Sequence, residues 1–577
     1  FRGGLKVTTT LNYDIQHKME SVVSRFSPTL ESEFGANNAA MVAIDPKNGD
    51  VLALMGSRNY FDTKIQGNFN IATANRQPGS AFKPFVYATA FMHGYTPDTI
   101  LFDVKTEFST RCTVDSKPIS DTGTTTDCYS PVNYDGVYEG PIDIRTALAQ
   151  SRNIPAIKAL YLVGIKDAIQ TAENMGINSL TDPNRYGLTL VLGGGEVSLL
   201  ELTSAYGVFA NDGVRNPYRL ILKVEDSKGN ALEEATNNSS QAIPAQAARQ
   251  ISDILSDPRV RLSSLSDIIS PMNRQVAIKT GTTNDYRDVW VEGYTPSIVV
   301  GAWAGKNDAT PMQKKVAGLV IAPVFGAFMN EILDSLPQGD TFKAPEPSTT
   351  LADKPVLRGV WRGGVSYFKD KVSGKLATEY TPQELQEEVV YNDVHSILYW
   401  LNKDDPRGPA PAHPEQDSQF EYWEHGVRAW VDDYKKAHPD FVETASSSHA
   451  IPTDKDNIHT ADSAPSVRIT SPQMDTTVDA NSPVNIYFDV NDKTGSKSPL
   501  FPVKKAELYI NNKFITSTEQ TPLSLSFIPR NISDLQEKNT IKVVVYDMYL
   551  NRGDSSVDFH VSGMPVSTST ATSSVSQ

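Results

Sequence analysis

Two groups of apolar, strand-like segments lie far apart in the sequence and enclose a long stretch of helical and loop-like character. Residues 39–56 predict two apolar strands joined by a turn at residues 46–50, a pattern typical of a β-hairpin. Residues 275–304 contain further apolar runs with turn residues between them. Because helices must bury their apolar faces against another element, one sheet built from both groups predicts an α+β fold with helices packed on it.

The composition excludes several classes of protein. The chain has 577 residues, of which 39% are hydrophobic and 21% charged, as expected of globular domains. Its formal net charge is −15 and no block of Lys or Arg occurs, which argues against a nucleic-acid partner. The nine His residues form no His-x-x-x-His pair in a helical context and only two Cys are present, so we expect no Cys/His zinc site. No metal and no cofactor is predicted.

Changes in composition along the chain predict a multidomain protein. Residues 466–563 contain seven short alternating runs, which predict an immunoglobulin-like β-sandwich without its Cys pair. The remaining predicted boundaries are a leading segment (1–38), an α+β domain (39–345), an extension of uncertain role (346–442), a polar linker (443–465) and a disordered tail (564–577).

The chain contains no predicted membrane span. Its most apolar run, residues 317–329, includes Pro323 and is shorter than the roughly 18–20 residues that a bilayer requires, so it predicts a buried helix. The chain begins at Phe1, and the pattern of its first residues does not predict a signal peptide. We therefore expect a fragment of a longer protein, with any anchoring segment upstream.

Cys112 and Cys128 enclose a polar, loop-like stretch. A disulfide closing a loop of this size contributes about 3 kcal/mol to stability. Two separate buried thiols are the alternative, and the rarity of Cys in the chain favours the disulfide. A disulfide would indicate an oxidising, extracytoplasmic compartment.

Three short motifs carry candidate chemistry. They are a Ser-x-x-Lys at Ser80–Lys83, a Ser-x-Asn at Ser151–Asn153, and Lys279-Thr280-Gly281-Thr282. Second copies occur by chance at residues 366–369, 57–59 and 493–495, so each motif alone is weak. Only the set that begins at Ser80, Ser151 and Lys279 has the required order along the chain.

The surroundings of Ser80 strengthen this choice. Ser80 follows Pro78-Gly79 and opens an apolar segment, which predicts a buried helix from Ser80 to about His93. Lys83 shares a helical face with Ser80, and the free N–H groups at a helix start suit an oxyanion. A Ser at this position is commonly only a helix cap and a Lys only a solvated side chain, but a buried Lys beside a Ser indicates amine catalysis.

Around these motifs the chain resembles the transpeptidase domain of bifunctional (class A) penicillin-binding proteins. The resemblance covers residues 3 to about 330, in stretches such as AAMVAIDPKNGDVLALMG, RQPGSAFKPF, YSPVNYDGVYEGPIDIRTALAQSRNIPA and KTGTTNDYRDVWVEGYTPSIVVGAWAG. It implies a sheet flanked by helices, an upstream glycosyltransferase domain and membrane anchor, and a location on the extracytoplasmic face of the membrane. It assigns no role to residues 380–442 or to the C-terminal β domain.

The resemblance implies a role for each motif residue in a D,D-transpeptidase. Ser80 would attack the carbonyl between two D-alanines of a peptidoglycan stem peptide, and Lys83 would take its proton. Backbone N–H groups of Ser80 and Thr282 would form the oxyanion hole. The other implied roles are proton relay by Ser151 with help from Lys279, peptide binding by Asn153, and binding of the terminal carboxylate by Thr280 and Thr282. Gly281 would leave room for substrate along the strand edge.

The implied partners are a donor stem peptide, an acceptor amine from a second stem peptide, and β-lactams that acylate Ser80. A D,D-carboxypeptidase, with water as acceptor, stays open as an alternative. A serine β-lactamase would need a base for deacylation, which the sequence does not identify. A non-catalytic β-lactam sensor or cell-wall-binding scaffold would leave the three motifs without a purpose.

Three further features have two interpretations each. Asp285, Arg287, Asp288 and Trp290 either line the acceptor side or belong to a turn with an Asp/Arg pair. Gly193-Gly194-Gly195 lacks the Lys of a phosphate-binding loop and indicates tight packing. The aromatic residues at 399–400 and 423–430 favour core packing over glycan binding.

Overall fold

The structure is a computed structural model of the whole chain. It describes residues 4–120, 122–269, 274–337, 339–347, 354–363, 366–444, 451–493 and 498–563. The chain divides into two compact units, the first made of Phe1–Gly364 with Asn392–Thr444 and the second of Val365–Tyr391 with Ala445–Gln577. The predicted disordered tail, 564–577, lies outside the described residues.

The first unit contains both strands and helices. Its strands are β1 (Lys6–Thr9), β2 (Asn38–Ile44), β3 (Val51–Met55), β4 (Ile100–Asp103), β5 (Gly140–Asp143), β6 (Val214–Arg215), β7 (Ile221–Glu225), β8 (Ala231–Glu234), β9 (Ser240–Gln241), β10 (Ala277–Thr282), β11 (Asp288–Thr295) and β12 (Ile298–Gly305). Its helices are α1 (Tyr13–Phe34), α2 (Lys83–Met92), α3 (Ile144–Ala149), α4 (Asn153–Val163), α5 (Ile165–Asn174), α6 (Leu199–Ala210), α7 (Ala245–Ser256), α8 (Ser263–Ile269), α9 (Ala317–Val320), α10 (Ala322–Ile332), α11 (Ile397–Trp400) and α12 (Phe420–Ala437).

A five-stranded antiparallel sheet in the order β10-β11-β12-β2-β3 forms the centre of this unit. Strands β2, β11 and β12 are buried along their whole length, so the sheet is covered on both faces. Helices α1 and α10 pack on one face around Met19, Val291 and Phe325. On the other face α6 brings Thr203 against Gly301 and Glu292. The predicted α+β plan, one sheet built from distant strand groups, is confirmed.

The apolar run at 317–329 is not one helix but two. Helix α9 ends at Val320 and α10 begins at Ala322, with Pro323 in its first turn. Proline is tolerated there because the first N–H groups of a helix have no intrahelical partner. The prediction that this run is buried is confirmed, since Phe325, Phe328 and Met329 have no exposed surface. No helix among the described residues is long and apolar enough to cross a membrane.

The second unit is all-β. Its strands are β13 (Ser366–Asp370), β14 (Gln386–Val390), β15 (Ser466–Ser471), β16 (Thr476–Asp479), β17 (Val484–Asn491), β18 (Val503–Ile510), β19 (Lys513–Thr518), β20 (Leu525–Phe527), β21 (Lys538–Asp547) and β22 (Arg552–Ser562). Sheets β15-β17-β20 and β16-β22-β21-β18-β19 enclose an apolar core that includes Ile486, Leu508, Val543 and Phe559. This is the predicted immunoglobulin-like sandwich, and β16 is a strand that the alternation of residues did not predict.

The predicted extension, 346–442, is divided between the two units. Residues 366–391 form the hairpin β13–β14 and belong to the second unit, whereas 392–444 belong to the first. Helix α12 anchors the latter segment through Trp423, which has no exposed surface and packs edge-on against Tyr161. The predicted polar linker, 443–465, also contains buried residues, among them Asp456 and His459 of the second unit.

Candidate active site

Ser80 lies in a tight 3-10 turn, Gly79–Phe82, that leads directly into α2. The prediction that the α-helix begins at Ser80 is wrong by three residues, because α2 begins at Lys83. The reason is Pro84, which has no N–H to donate to Ser80 O, as the first α-helical hydrogen bond would require. The Lys83 N–H bonds to Ser80 O instead and closes the tighter turn. Ser80 itself is half-buried.

Glycines bring this turn into direct contact with β10 and with the loop before α6. A Cβ atom on Gly281 would lie 2.1 Å from Pro78 O, and one on Gly79, which has φ +59°, would lie 2.6 Å from Thr282 O. A Cβ on Gly193 would lie 2.1 Å from Gly79 N. Gly281 is therefore required by the approach of the Ser80 turn, and not only by room for a substrate. The tight packing predicted for the glycine run is against this same turn.

Lys83 has no exposed surface and is surrounded by the apolar residues of its own helix. Its Nζ donates to three backbone and side-chain acceptors on the turn between α3 and α4: Ser151 O at 2.5 Å, Arg152 O at 3.0 Å and Asn153 Oδ1 at 2.9 Å. Ser151 Oγ lies 3.4 Å from the same nitrogen. The first and second motifs are thus joined through the Lys83 side chain.

Ser151 is shared by two buried lysines. Lys279 Nζ donates to Ser151 Oγ at 2.8 Å and to Thr280 O at 2.9 Å. Ser151 has φ +60°, a left-handed conformation that is rare for residues other than Gly and that occurs at functional sites. All three motifs therefore meet at one point, the Ser151 hydroxyl.

Residues that the motif analysis did not identify support the Ser151 turn. Asn133 donates to both oxygens of Asp103, at 2.8 and 2.9 Å, and accepts from the Asn153 N–H at 2.8 Å. Arg152 donates to Asp135 Oδ2 at 2.8 Å and also to Glu139. Asn133, Asp135 and Glu139 all lie in the stretch from 129 to 156 that carries the family resemblance, but neither periodicity nor spacing assigns them this position.

Burial lowers the pKa of both lysine amines. Burial, followed by the positive charges of Lys279 and Arg152, holds the pKa of Lys83 well below its usual range, and Asp103 acts in the opposite direction. Burial lowers the pKa of Lys279 to about 7. Burial also raises the pKa of Asp103, against the hydrogen bond from Asn133 and the charges of Arg152 and Lys158.

The third motif lies on β10, at the edge of the central sheet. Thr280 and Thr282 are half-buried, and Gly281 between them is buried. Thr282 Oγ1 accepts from the Ala317 N–H at 3.0 Å, which connects the strand to the start of α9. The ideal Cβ position of Gly79 lies 2.8 Å from Thr282 N, so the backbone of Thr282 is adjacent to the Ser80 turn.

The ambiguous features of the sequence have structural explanations. Asp288 is buried and accepts from Trp303 Nε1 at 3.0 Å, with Arg76 Nη1 at 3.4 Å. The exposed Arg287 lies 3.6 Å from Asp285. The second Ser-x-x-Lys is on strand β13, where Lys369 pairs with Glu387 at 3.4 Å.

Aromatic residues of the 399–430 region pack against other aromatic residues of the first unit. Trp430 contacts Phe102 and Trp361 edge-on, with ring centroids 5.5 and 5.2 Å apart. Tyr399 lies edge-on to Trp400 at 4.6 Å. This packing favours the core interpretation of these residues.

Cys112 and Cys128 are joined by a disulfide in the structure, with their Cα atoms 5.5 Å apart. The Cys112 carbonyl accepts from Tyr422 Oη at 2.7 Å, so the bridged loop is fastened to α12.

A half-buried serine and a buried lysine of lowered pKa can perform nucleophilic acyl transfer without a histidine base. Ser80 supplies the hydroxyl, Lys83 an amine of lowered pKa, and Ser151 a hydroxyl that contacts both lysines. The described site includes no cluster of carboxylates and His that would hold a metal ion.

Comparison with known proteins agrees with this chemistry. Residues 39–329, about half of the chain, match the penicillin-binding protein transpeptidase domain, and residues 465–543 match a bacterial Ig domain. Penicillin-binding protein 1A of Aquifex aeolicus (strain VF5) is 34% identical over 309 residues, which are 53% of this chain and 40% of that protein. Penicillin-binding protein 1A of Neisseria lactamica is 34% identical over 314 residues, 53% of this chain and 37% of that protein. The chain therefore spans well under half the length of these relatives.

A solved structure shares the fold. The PonA1 protein from Mycobacterium tuberculosis, in complex with penicillin V, superposes with a TM-score of 0.50 at 23% identity, over 60% of this chain and 90% of that one. The family match, the fold and the meeting of the three motifs at Ser151 lead to one conclusion. This chain belongs to the penicillin-binding protein transpeptidase family.

Proposed function

We propose that the chain is a serine-type D,D-transpeptidase that cross-links peptidoglycan stem peptides and is acylated at Ser80 by β-lactams. The observation that carries this proposal is the shared Ser151 hydroxyl, 2.8 Å from Lys279 Nζ and 3.4 Å from Lys83 Nζ, next to the turn that holds Ser80. The relatives are named penicillin-binding proteins, which supports the proposed binding of β-lactams.

Acylation begins when Ser80 Oγ attacks the carbonyl carbon between the two D-alanines of the donor, and its proton passes to neutral Lys83. Burial and the Lys279 charge stabilise the neutral amine before attack. The carbonyls of Ser151 and Arg152 stabilise the ammonium that forms afterwards. The surroundings of Lys83 thus stabilise both the neutral amine and the ammonium.

The negative charge that develops on the substrate oxygen is stabilised by the N–H groups of Ser80 and Thr282. The proximity of the Thr282 backbone to the Ser80 turn supports this pairing. When the C–N bond breaks, the departing D-alanine amine takes a proton through Ser151, assisted by the Lys279 charge. Thr280 and Thr282 bind the terminal carboxylate, and the Asn153 amide binds the donor peptide.

The cycle ends when an amine from a second stem peptide attacks the acyl-enzyme and forms the cross-link. Its extra proton returns to Ser80 through Lys83. We place this reaction on the extracytoplasmic face of the membrane, where a Cys112–Cys128 disulfide is stable and where peptidoglycan lies. The full-length parent is proposed to be membrane-anchored.

Labelling with fluorescent penicillin tests the nucleophile. Ser80→Ala removes the attacking oxygen, so we expect no covalent label, with circular dichroism and melting unchanged. Ser366→Ala, at the second Ser-x-x-Lys, is the matched control and should label as wild type. Stoichiometric label on the Ser80→Ala chain would contradict the assignment.

The acceptor is tested with a synthetic donor pentapeptide and an amine acceptor, followed by mass spectrometry. A cross-linked product supports the transpeptidase. Release of D-alanine with only hydrolysed donor would favour a D,D-carboxypeptidase, and rapid turnover of penicillin would favour a β-lactamase. Stable binding of penicillin without an adduct would favour a sensor or scaffold.

A further inference from the structure

The second unit contains a buried group of two carboxylates and one imidazole. None of these residues belongs to the three motifs proposed for catalysis. Asp370 ends β13, and Asp456 and His459 lie in the polar stretch that follows residue 450. Asp370 and His459 have no exposed surface, and Asp456 is 5% exposed. One donor atom from each residue lies within 4.8 Å of the other two.

The backbone holds the two segments together around this group. The Leu376 N–H donates to Asp454 O at 2.9 Å, and the Asp456 N–H donates to Leu376 O at 2.8 Å. Asp456 also accepts from Thr381 Oγ1 at 2.7 Å. The positions of the carboxylates are therefore set by several contacts outside the group itself.

The orientation of the His459 ring directs one nitrogen at both carboxylates. Nε2 lies 2.8 Å from Tyr549 O, a carbonyl that can only accept, so Nε2 carries a hydrogen. Nδ1 lies 2.6 Å from Asp456 Oδ2 and 3.6 Å from Asp370 Oδ1. In neutral imidazole Nδ1 is then an acceptor facing two acceptors, so a positive species belongs between them.

The surroundings of Asp370 indicate whether the positive species at Nδ1 is a proton or a metal ion. Its Oδ2 accepts from the Ser373 N–H at 2.5 Å, but its buried Oδ1 has no hydrogen-bond partner among the described residues. A proton on Nδ1 would satisfy Asp456 and leave Asp370 Oδ1 paired by charge alone, at 3.6 Å and without a hydrogen bond. A cation coordinated by all three donors would satisfy both carboxylates at once.

We propose that Asp370, Asp456 and His459 bind a divalent transition-metal cation, with zinc the best fit, as a structural site of the second unit. Zinc accepts mixed nitrogen and oxygen ligands at about 2.0–2.1 Å, which places neighbouring tetrahedral donors about 3.3 Å apart. His459 Nδ1 lies 3.6 Å from Asp370 Oδ1, close to this separation, whereas its 2.6 Å contact with Asp456 Oδ2 must lengthen when the ion enters. A carbonyl that fixes the second nitrogen of a ligand His, as Tyr549 O does here, is the usual support for such sites.

Two carboxylates and a neutral imidazole carry a charge that a divalent cation cancels. Among the described residues, no Lys or Arg forms an ion pair with Asp370 or Asp456 that could do so instead. The sequence predicts no metal site because it lacks closely spaced His and Cys, whereas these ligands come from segments far apart in the chain.

The test uses the untagged full chain, stripped with EDTA and titrated with zinc. We expect one zinc ion per chain and a higher melting temperature of the second unit when zinc is present. Asp370→Asn and His459→Gln should each weaken zinc binding at least tenfold, because each removes a ligand. X-ray absorption of the bound zinc should show one imidazole and two carboxylate ligands.

His395→Gln is the matched control. His395 also lies between two carboxylates, but each of its nitrogens has its own, with Nε2 at 3.0 Å from Asp393 and Nδ1 at 2.7 Å from Glu424. No nitrogen of His395 faces two carboxylates, so zinc binding should be unchanged in the His395→Gln variant. No zinc uptake by wild type, uptake that survives Asp370→Asn, or a coordination shell with two or more imidazoles would each overturn the proposal. If a variant fails to fold, the wild-type stoichiometry and absorption spectrum decide.

Discussion

At the scale of single residues, burial in the first unit shifts the pKa values of several ionisable side chains toward the uncharged form, among them Lys83, Lys279 and Glu292. Lys83 and Lys279 face each other across Ser151, and burial lowers the pKa of both. Glu292 lies on β11 with no exposed surface, and burial raises its pKa well above the usual range. The two lysines have a proposed catalytic role. Glu292 has none, and its raised pKa makes the stability of the fold depend on pH.

Lys83→Arg tests the general base. Arginine keeps the positive charge but does not deprotonate near neutral pH, so we expect acylation by penicillin to be slower by at least about 10²-fold. In wild type, acylation should fall as the pH drops through the Lys83 pKa, because the amine becomes protonated. Stopped-flow acylation rates across pH measure both. A variant that acylates at the wild-type rate would move the base elsewhere, with Ser151 the first candidate.

Glu292→Gln tests the protonation of the buried carboxyl. Thr203 Oγ1 lies 3.4 Å from Glu292 Oε1, and Oε2 has no hydrogen-bond partner among the described residues. Because its folded pKa is raised, unfolding releases a proton above the unfolded pKa, and wild-type stability falls as the pH rises toward the folded pKa. Glutamine removes this dependence. The stability of the variant relative to wild type should therefore grow with pH, by at most about 1.4 kcal/mol per pH unit.

Chemical unfolding at several pH values between 5 and 8 measures that difference. A difference that stays constant over this range would mean that Glu292 is ionised in the folded protein.

At the scale of elements, the site depends on how closely the Ser80 turn approaches β10. Gly281 lies against Pro78 O, Gly79 lies against the backbone of Thr282, and the loop glycine Gly193 lies against Gly79. The relative positions of the site residues are thus set by contacts between segments that are distant in sequence. Helix α2 contributes Lys83 from one side, and the turn before α4 contributes Ser151 from the other.

Gly281→Ala tests this approach. Its Cβ would lie 2.1 Å from Pro78 O, a backbone atom that moves only with the turn. We expect a shift of the Ser80 turn, acylation slower by at least about tenfold, and a melting temperature lower by several degrees, since a backbone displacement in the core costs about 1–3 kcal/mol. Gly187→Ala is the matched control, because no atom lies within 4 Å of its Cβ position. Equal acylation rates in the two variants would contradict the proposed role of the close approach.

At the scale of the whole molecule, each unit is built from two separate parts of the chain. The hairpin β13–β14 belongs to the second unit, and the chain then returns to the first unit before it enters the sandwich. The Asp393 N–H donates to Arg362 O at 2.6 Å, so the two ends of the excursion lie side by side in the first unit. A cut at a single point therefore cannot separate the units cleanly.

Deletion of residues 364–391, with a short glycine linker, combined with a chain end at Thr444, tests the independence of the first unit. We expect this chain to be soluble and to acylate within about twofold of the full chain, because compact domains with their own core fold alone. A chain that only ends at Thr444 is the comparison. It keeps the hairpin but loses its partners in 451–563, so it should be less soluble. A tenfold loss of acylation in the doubly shortened chain would show that catalysis needs the second unit.

The sequence alone determined the local features of this protein. The strand groups at 39–56 and 275–304, the buried helix after Ser80 and the alternation in 466–563 follow from the side-chain pattern of near neighbours, which is all that periodicity measures. The order of the three motifs and the family resemblance could also be recognised without a structure. The start of α2 at Lys83 was missed by three residues because the tight turn follows from Pro84 and from packing against β10.

Only the tertiary structure decided which distant residues meet. Asn133 contacts both Asp103 and Asn153, and Ser151 lies between Lys83 and Lys279. In the second unit, the part of the predicted linker around His459 is buried beside Asp370. The polar character of that segment predicted a linker, because composition records the cost of burying polar groups but not the partners that offset it. Those partners come from segments far along the chain, and their distances exist only once the sheets and helices have packed.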